Sequence, residues 1–210
     1  MSNPYDVVRQ FEAALAEYTG APYVVSTTSC TAALMLACAW EMIGKSFHVS
    51  NVFVIPRYTY VGVPMSIIHA KGYVGFKEEE WVGEYQLEPF PIWDCARWLR
   101  ADMYRAGQMM CLSLHHSKHC GISTHGGAIL HDNAEADAWL RRARYDGRAE
   151  GVAPKDDTGI IRGWHCYMTP PAAAEGLLRL SCLPRHNDPL PWGPGTNSDY
   201  ADLSQMEIFK

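Results

Sequence analysis

The chain has 210 residues, of which 48% are hydrophobic and 20% are charged, and its formal net charge is −5. These values are typical of a globular protein with a full hydrophobic core, and they exclude a general electrostatic attraction to nucleic acid. No apolar run approaches the roughly 20 residues that span a bilayer, and no signal peptide is visible, so we expect a cytoplasmic protein without membrane contact. The seven cysteines lack a CxxC pair and predict buried free thiols.

Strand-like and helix-like patterns alternate along most of the chain. Strands are predicted at residues 23–26, 52–55, 73–76, 90–93, 109–114 and 128–131. Helices are predicted between Pro4 and Gly20 and at residues 31–43, 61–70, 96–104, 135–144 and 172–180. This alternation predicts an α/β fold with a mainly parallel sheet flanked by helices.

The polar, glycine-bearing stretch at residues 147–158 predicts a mobile loop. Beyond Pro184 the chain is dense in Pro, Gly, Asn and Asp. We therefore expect an α/β domain at residues 1–184 and an extended C-terminal tail at residues 185–210. The apolar side chains at residues 200–209 predict that the tail docks on this domain or on a second subunit.

Several polar side chains follow the predicted strands. Lys118 lies between two apolar runs, where packing can lower the pKa of its amine and free it to attack an aldehyde. Asp94 directly follows a strand, Tyr60 follows another, and the hydroxyl-rich segment 27–31 joins a strand to a helix. In a parallel sheet these groups should meet at one edge. An amine, a carboxylate, an aromatic face and a helix N-terminus together suit pyridoxal phosphate (PLP).

Five segments in order resemble the motifs of the DegT-like sugar aminotransferases, a family of fold-type I PLP-dependent enzymes. They are Ser29-Cys-Thr-Ala-Ala-Leu, Pro56-Arg-Tyr-Thr-Tyr-Val, Trp93-Asp-Cys-Ala-Arg, Ser113-Leu-His-His-Ser-Lys with Gly126-Gly-Ala-Ile, and Gly163-Trp-His-Cys-Tyr-Met-Thr. The resemblance covers residues from about 26 to 180 and implies the large domain of the fold. Family members are much longer, so it also implies that the small C-terminal domain is largely absent.

The resemblance implies catalytic roles for Lys118 and Asp94. Lys118 would form the Schiff base with PLP and then move the proton between substrate and cofactor. Asp94 would pair with the ring nitrogen, and Tyr60 would stack on the ring. Arg97 stands where the family has a glutamine near the phenolic oxygen of the cofactor, so a fixed cation replaces a neutral donor.

The resemblance also implies a phosphate site and a shared interface. The amides around Cys30, with the hydroxyls of Thr31 and Ser113, would hold the phosphate, although Cys30 replaces a glycine of the family. His165 occupies the position that reaches the neighbour's phosphate across a dimer interface. We therefore expect a homodimer with shared active sites.

Three functions fit these residues. The first is an aminotransferase that uses an amino-acid donor and acts on a nucleotide-linked keto sugar. The second is a PLP-dependent decarboxylase or lyase acting on an amino-acid adduct of a larger substrate, such as a modified nucleobase in DNA, as in compact DegT-like enzymes of some phages. The third is a non-catalytic binding protein, which an intact Lys118 and Asp94 disfavour.

Two other clusters have alternative interpretations. Three histidines and a cysteine at residues 115–120 could suggest a metal site, but no second pair with zinc-ligand spacing accompanies them, and we predict no metal. Four arginines at residues 141–148 suggest the solvated end of a helix or, alternatively, a phosphate-facing patch.

Overall fold

The structure, a computed structural model, describes residues 3–44, 51–190 and 200–209. The helices are α1 (Asp6–Thr19), α2 (Cys30–Glu41), α3 (Gly62–His69), α4 (Ala134–Ala143) and α5 (Pro170–Ser181). The strands are β1 (Tyr23–Thr27), β2 (Val52–Pro56), β3 (Tyr73–Lys77), β4 (Tyr85–Gln86), β5 (Ile92–Asp94), β6 (Met109–Ser113) and β7 (Gly127–His131). Two short 3₁₀ helices, Leu203–Gln205 and Glu207–Phe209, lie in the C-terminal segment.

The strands form a five-stranded sheet in the order β1-β7-β6-β5-β4 and a parallel β2-β3 pair. A bridge between Val54 and Glu88 joins the pair to the residues that follow β4. β5 and β6 are parallel, and so are β2 and β3. β7 is antiparallel to β1 and β6, and the β4 segment is antiparallel to β5 and β2. One direction is therefore shared by β1, β2, β3, β5 and β6. The predicted α/β class is confirmed, with a mixed sheet in which β4 and β7 run against the others.

Helices cover both faces of the sheet. One buried cluster joins side chains of α2, α3 and α4 to the sheet, with Leu34, Ile67 and Leu140 among its members. The other joins α1 and α5 to the opposite face. An added Cβ at Gly176 of α5 would lie 2.8 Å from the ring of Phe11, so glycine permits the close contact of these two helices.

The helix predicted at residues 96–104 is wrong. This stretch consists of turns and irregular chain, and Asp102 has a positive φ of 52°. Its amides bond to distant carbonyls: Ala101 to Arg185, and Asp102 to Tyr18. Tertiary contacts therefore take the hydrogen bonds that a helix would have formed locally.

The C-terminal segment packs on the body of this chain, which was one of the two predicted sites for it. Leu203 is 2% exposed, and its amide donates to the carbonyl of Arg57. The ring of Phe209 meets that of Phe76 at 6.0 Å. Residues 191–199 of the predicted tail lie outside the described part of the chain.

Both interpretations of the arginine cluster at residues 141–148 need correction. Arg144 is 1% exposed and pairs with Glu12 and Glu150. Arg141 also bonds Glu12, and Arg142 bonds the carboxylate of Asp157. These three arginines neutralise acidic groups of the protein, so they form neither a solvated helix end nor a free phosphate-binding patch. The fourth, Arg148, places its guanidinium 4.8 Å over the ring of Tyr145.

Asp157 also anchors the loop predicted to be mobile. Its carboxylate accepts hydrogen bonds from the amides of Ala149 and Gly159.

No helix in the described residues combines the length and apolar character needed to cross a membrane.

Candidate active site

The carboxyl ends of β1, β2, β5 and β6 surround a cavity of about 330 Å³. Its walls contain seven residues proposed from the sequence: Cys30, Thr31, Tyr60, Asp94, Arg97, Ser113 and Lys118. They come from segments far apart in the chain. The shared direction of the four strands brings them together, as expected for an open α/β sheet.

The turn between β1 and α2 forms an anion-binding end of the cavity. Ser29 caps α2: its Oγ accepts from the amide of Ala32 at 3.1 Å, and its carbonyl accepts from the amide of Ala33. The amides of Cys30 and Thr31 have no acceptor within the helix, as is general for a first turn, and the helix dipole adds positive potential there. This geometry suits a phosphate.

Gly127 allows this turn to lie against β7. An added Cβ at Gly127 would lie 2.3 Å from the carbonyl carbon of Ser29 and 2.5 Å from the nitrogen of Cys30. The Cys30 side chain points inward, with its Sγ 3.6 Å from the carbonyl oxygen of Cys111. Burial raises the pKa of this thiol, which keeps it neutral. The Cys30 side chain therefore lies beneath the turn.

Asp94 is 4% exposed at the end of β5. One of its oxygens accepts from the amide of Ala96 at 2.9 Å, and the other accepts from the hydroxyl of Tyr85 at 3.1 Å. Burial raises the pKa of the Asp94 carboxyl, whereas these two donors and Lys118 oppose the increase. The carboxylate is thus held rigidly at the cavity wall.

Lys118 is partly buried in the turn after β6, and its amide donates to the carbonyl of His115 at 2.8 Å. Burial is the main cause that lowers the pKa of its amine, and the Arg97 guanidinium lowers it further. Asp94 and Cys30 act in the opposite direction.

Tyr60 and Arg97 both line the cavity. Tyr60 is 56% exposed, which leaves its ring face available to a ligand. The backbone of Arg97 is fixed on two sides, because its amide donates to the carbonyl of Gly83 and its carbonyl accepts from the amide of Leu190 at 2.8 Å. The start of the C-terminal tail thus holds Arg97 beside the site.

Four lining or supporting residues escaped the sequence interpretation: Thr59, Trp81, Tyr85 and Tyr200. A signal existed for two of them. In the sequence Trp81-Val-Gly-Glu-Tyr-Gln-Leu, the large apolar residues 81, 85 and 87 alternate with the polar residues 84 and 86, the period-2 pattern of a strand. Tyr200 had no comparable signal.

His165 does not line this cavity. Its side chain is 71% exposed, and its Nδ1 lies 2.8 Å from a carboxylate oxygen of Asp146. Among the described residues no group of histidine, cysteine and acidic side chains could hold a metal ion, and the rings of His115 and His116 contact each other at 3.9 Å.

The chain is an α/β protein with a polar cavity at the carboxyl ends of its strands. The model of the DegT/DnrJ/EryC1/StrS aminotransferase family matches residues 1–78, which agrees with the resemblance read from the sequence. No curated protein matches the sequence.

Solved structures support the same fold. AtS13 from Actinomadura melliaura has a TM-score of 0.68 and 20% identity, over 83% of this chain and 59% of that chain. A DegT/DnrJ/EryC1/StrS aminotransferase from Brucella abortus has a TM-score of 0.67 and 19% identity, over 83% and 58%. NtdA from Bacillus subtilis, solved with its cofactor PMP, has a TM-score of 0.65 and 20% identity, over 86% and 48%. The chain thus spans about half to three fifths of the length of these proteins.

Proposed function

We propose that this chain is a PLP-dependent enzyme in which Lys118 forms a Schiff base with the cofactor. The observation that carries the proposal is one cavity that holds Lys118, buried Asp94 and the N-terminus of α2. Its most direct form is an aminotransferase of the DegT type that takes an amino group from an amino acid and acts on a nucleotide-linked keto sugar or a similar compound.

The residues present fit the phosphate and ring of PLP. The amides of Cys30 and Thr31 and the hydroxyls of Thr31 and Ser113 would hold the phosphate at the end of α2. Asp94 would accept from the ring nitrogen, and the exposed ring of Tyr60 would stack on the cofactor. When bound, PLP supplies an electron-withdrawing ring that stabilises negative charge on the substrate carbon.

The protein's own contribution is to bind, orient and transfer a proton. Lys118 would accept and return that proton at its Nζ, which burial and the cation of Arg97 help to keep neutral. Asp94 would keep a negative charge at the ring nitrogen because two donors hold its oxygens. Arg97 would bind a carboxylate or phosphate of the substrate through its planar guanidinium.

Arg97 also favours a second candidate. A fixed cation inside the cavity suits a substrate whose carboxylate is to be removed, which describes a PLP-dependent decarboxylase or lyase acting on an amino-acid adduct of a larger molecule. A modified nucleobase in phage DNA would be such a substrate. The arginines at residues 141–144 lend this candidate no support, because acidic partners neutralise them.

Cofactor binding is tested with purified protein and PLP. We expect a yellow protein whose absorption band disappears on borohydride reduction, with the label fixed on Lys118. Lys118→Ala should abolish labelling and activity, while Lys155→Ala, which changes an exposed loop lysine, should leave both intact. A protein that stays colourless after reconstitution contradicts the proposal.

Two products distinguish the candidate reactions. Incubation with L-glutamate should give 2-oxoglutarate and the pyridoxamine form of the cofactor if the protein is an aminotransferase. Release of carbon dioxide from an amino-acid adduct, without 2-oxoglutarate, would support the decarboxylase instead.

The proposal includes a homodimer with shared sites. His165 lies outside its own cavity and is largely exposed, so it is available to a neighbouring subunit. Light scattering should give close to twice the chain mass of 23.5 kDa, or a higher even multiple. His165→Ala should weaken PLP retention without unfolding the chain. A monomer that binds PLP at full strength would show that the site closes within one chain.

The proposal also includes the domain division and the compartment. Residues 1–184 would form the cofactor-binding domain, and the tail from residue 185 would cover the cavity, where Tyr200 already lines the wall. The seven free thiols suit the reducing cytoplasm.

A further inference from the structure

Three buried polar side chains form a continuous hydrogen-bonded chain at the floor of the cavity. The Thr59 hydroxyl lies 2.6 Å from that of Tyr85, and the Tyr85 hydroxyl lies 3.1 Å from a carboxylate oxygen of Asp94. All three residues are at most 4% exposed. Water therefore does not compete for these bonds, and each is worth more than it would be at the surface.

The direction of the chain follows from donor counting. A carboxylate only accepts, and a phenol has a single hydrogen, so Tyr85 donates to Asp94. The remaining bond must then be a donation from Thr59 to the Tyr85 oxygen. The other oxygen of Asp94 accepts from the amide of Ala96. Both oxygens of Asp94 are thus held by fixed donors.

Three separate segments bring these groups together. Thr59 follows β2, and strand pairing places Tyr85 of β4 directly opposite Asp94 of β5. The ring of Trp81 packs on that of Tyr85 at 4.7 Å, and its indole nitrogen donates to the carbonyl of Tyr58 at 3.1 Å. The orientation of the Tyr85 hydroxyl is therefore fixed by packing as well as by its hydrogen bonds.

We propose that Tyr85 is a positioning residue for Asp94, and that the Thr59–Tyr85 chain holds this carboxylate charged and aimed at the ring nitrogen of PLP. This inference rests on the proposed function. It assigns a role to β4, the short antiparallel strand whose segment bridges the two sheets.

Electrostatics supports the assignment. The groups that interact with the Asp94 carboxyl come from every element around it: the thiols of Cys30, Cys95 and Cys111, the Lys118 amine, the Tyr85 hydroxyl and the Ala96 amide. Burial raises the pKa of Asp94, and Tyr85 is one of the groups that lower it. Without the hydroxyl, Asp94 would take up a proton at a higher pH and would lose its charge for the ring nitrogen.

The test replaces Tyr85 by Phe, which keeps the ring that packs on Trp81 and removes the hydroxyl. We expect a folded protein with roughly 10-fold weaker PLP binding at neutral pH, the effect of one hydrogen bond to a charged group. The loss of affinity should grow as the pH falls, because Asp94 takes up a proton at a higher pH in this variant than in the unmodified protein. Thr59→Val should act in the same direction with a smaller effect, and Tyr104→Phe, which removes a hydroxyl bonded to the Gln108 carbonyl, should change nothing.

A second measurement uses the cofactor-free protein. Carbon-13 NMR of the Asp94 carboxyl should show a higher pKa in Tyr85→Phe than in the unmodified protein. Unchanged PLP affinity, pH profile and carboxyl pKa in folded Tyr85→Phe would overturn the inference. If the unmodified protein fails to bind PLP, the proposed function fails, while the carboxyl titration still decides the hydrogen-bond role of Tyr85.

Discussion

Substitution of Glu12 by Gln tests the buried ion network that holds β1 just before the phosphate turn. One oxygen of Glu12 accepts from the amide and hydroxyl of Ser26, at 3.0 and 2.8 Å, and from Arg144. The other accepts from Arg9 at 3.2 Å and from Arg141 at 2.7 Å. Five donors therefore converge on the carboxylate of Glu12, a residue that is only 4% exposed.

The size of the effect follows from this donor count. A glutamine amide keeps one acceptor oxygen, and its NH₂ group would face at least two donors without being able to accept from them. Two lost bonds to a charged group cost about 3–6 kcal/mol. Removing one charge of a buried ion pair typically lowers the free energy of unfolding by about 3–5 kcal/mol, which agrees with this value. We therefore expect a loss of about 3–5 kcal/mol and a fall in Tm of roughly 6–20 °C for a chain of this length.

Urea unfolding and calorimetry would measure this loss. The matched control is Glu78→Gln, since the Glu78 side chain is 78% exposed and bonds Arg57 at the surface. That pair should contribute at most about 1 kcal/mol. Equal losses in the two variants would show that the Glu12 network does not stabilise the fold, and would refute the reasoning.

Three further predictions concern the site and the tail. Gly127→Ala should abolish PLP binding or folding, because its Cβ would overlap the phosphate turn, as titration with PLP and circular dichroism would show. Arg97→Gln should raise the pKa of Lys118, so the midpoint of borohydride labelling against pH should move upward; an unmoved midpoint would exclude the effect. Leu203→Ala should cost about 2–5 kcal/mol in urea unfolding because this side chain is buried, whereas Ile208→Ala, at a 64% exposed residue, should cost much less.

The sequence predicted most elements because their apolar spacing agrees with their final environment. The five strands that share one direction and the helices α2, α3 and α4 lie within a few residues of their predicted positions. The failure at residues 96–104 has a specific cause. Its amides bond carbonyls of Tyr18 and of Arg185, contacts that local periodicity does not encode.

The candidate site was predictable to the extent that it follows strand ends. Asp94 ends β5, and the Cys30 turn and Lys118 follow β1 and β6 within three and five residues, so a shared strand direction was sufficient to bring them together. Arg144 was misjudged for a related reason. Its position at the end of a predicted helix suggested an exposed side chain. Its partner Glu12 lies far away in sequence and its partner Glu150 lies close by, and no sequence pattern marks either as a partner.

Tyr85 shows what a short strand can contribute to a site. The β4 segment has only two residues in strand conformation, yet its alternating burial places Tyr85 against Asp94 and leaves the half-buried Gln86 free to bond the Phe90 carbonyl. A strand that opposes its neighbour can deliver a side chain to the carboxyl edge of the sheet as well as a parallel one, because register rather than direction sets which residue lies opposite Asp94. The supporting residues of a site are therefore harder to predict than its reactive ones: they depend on register, and register follows from pairing across the whole sheet.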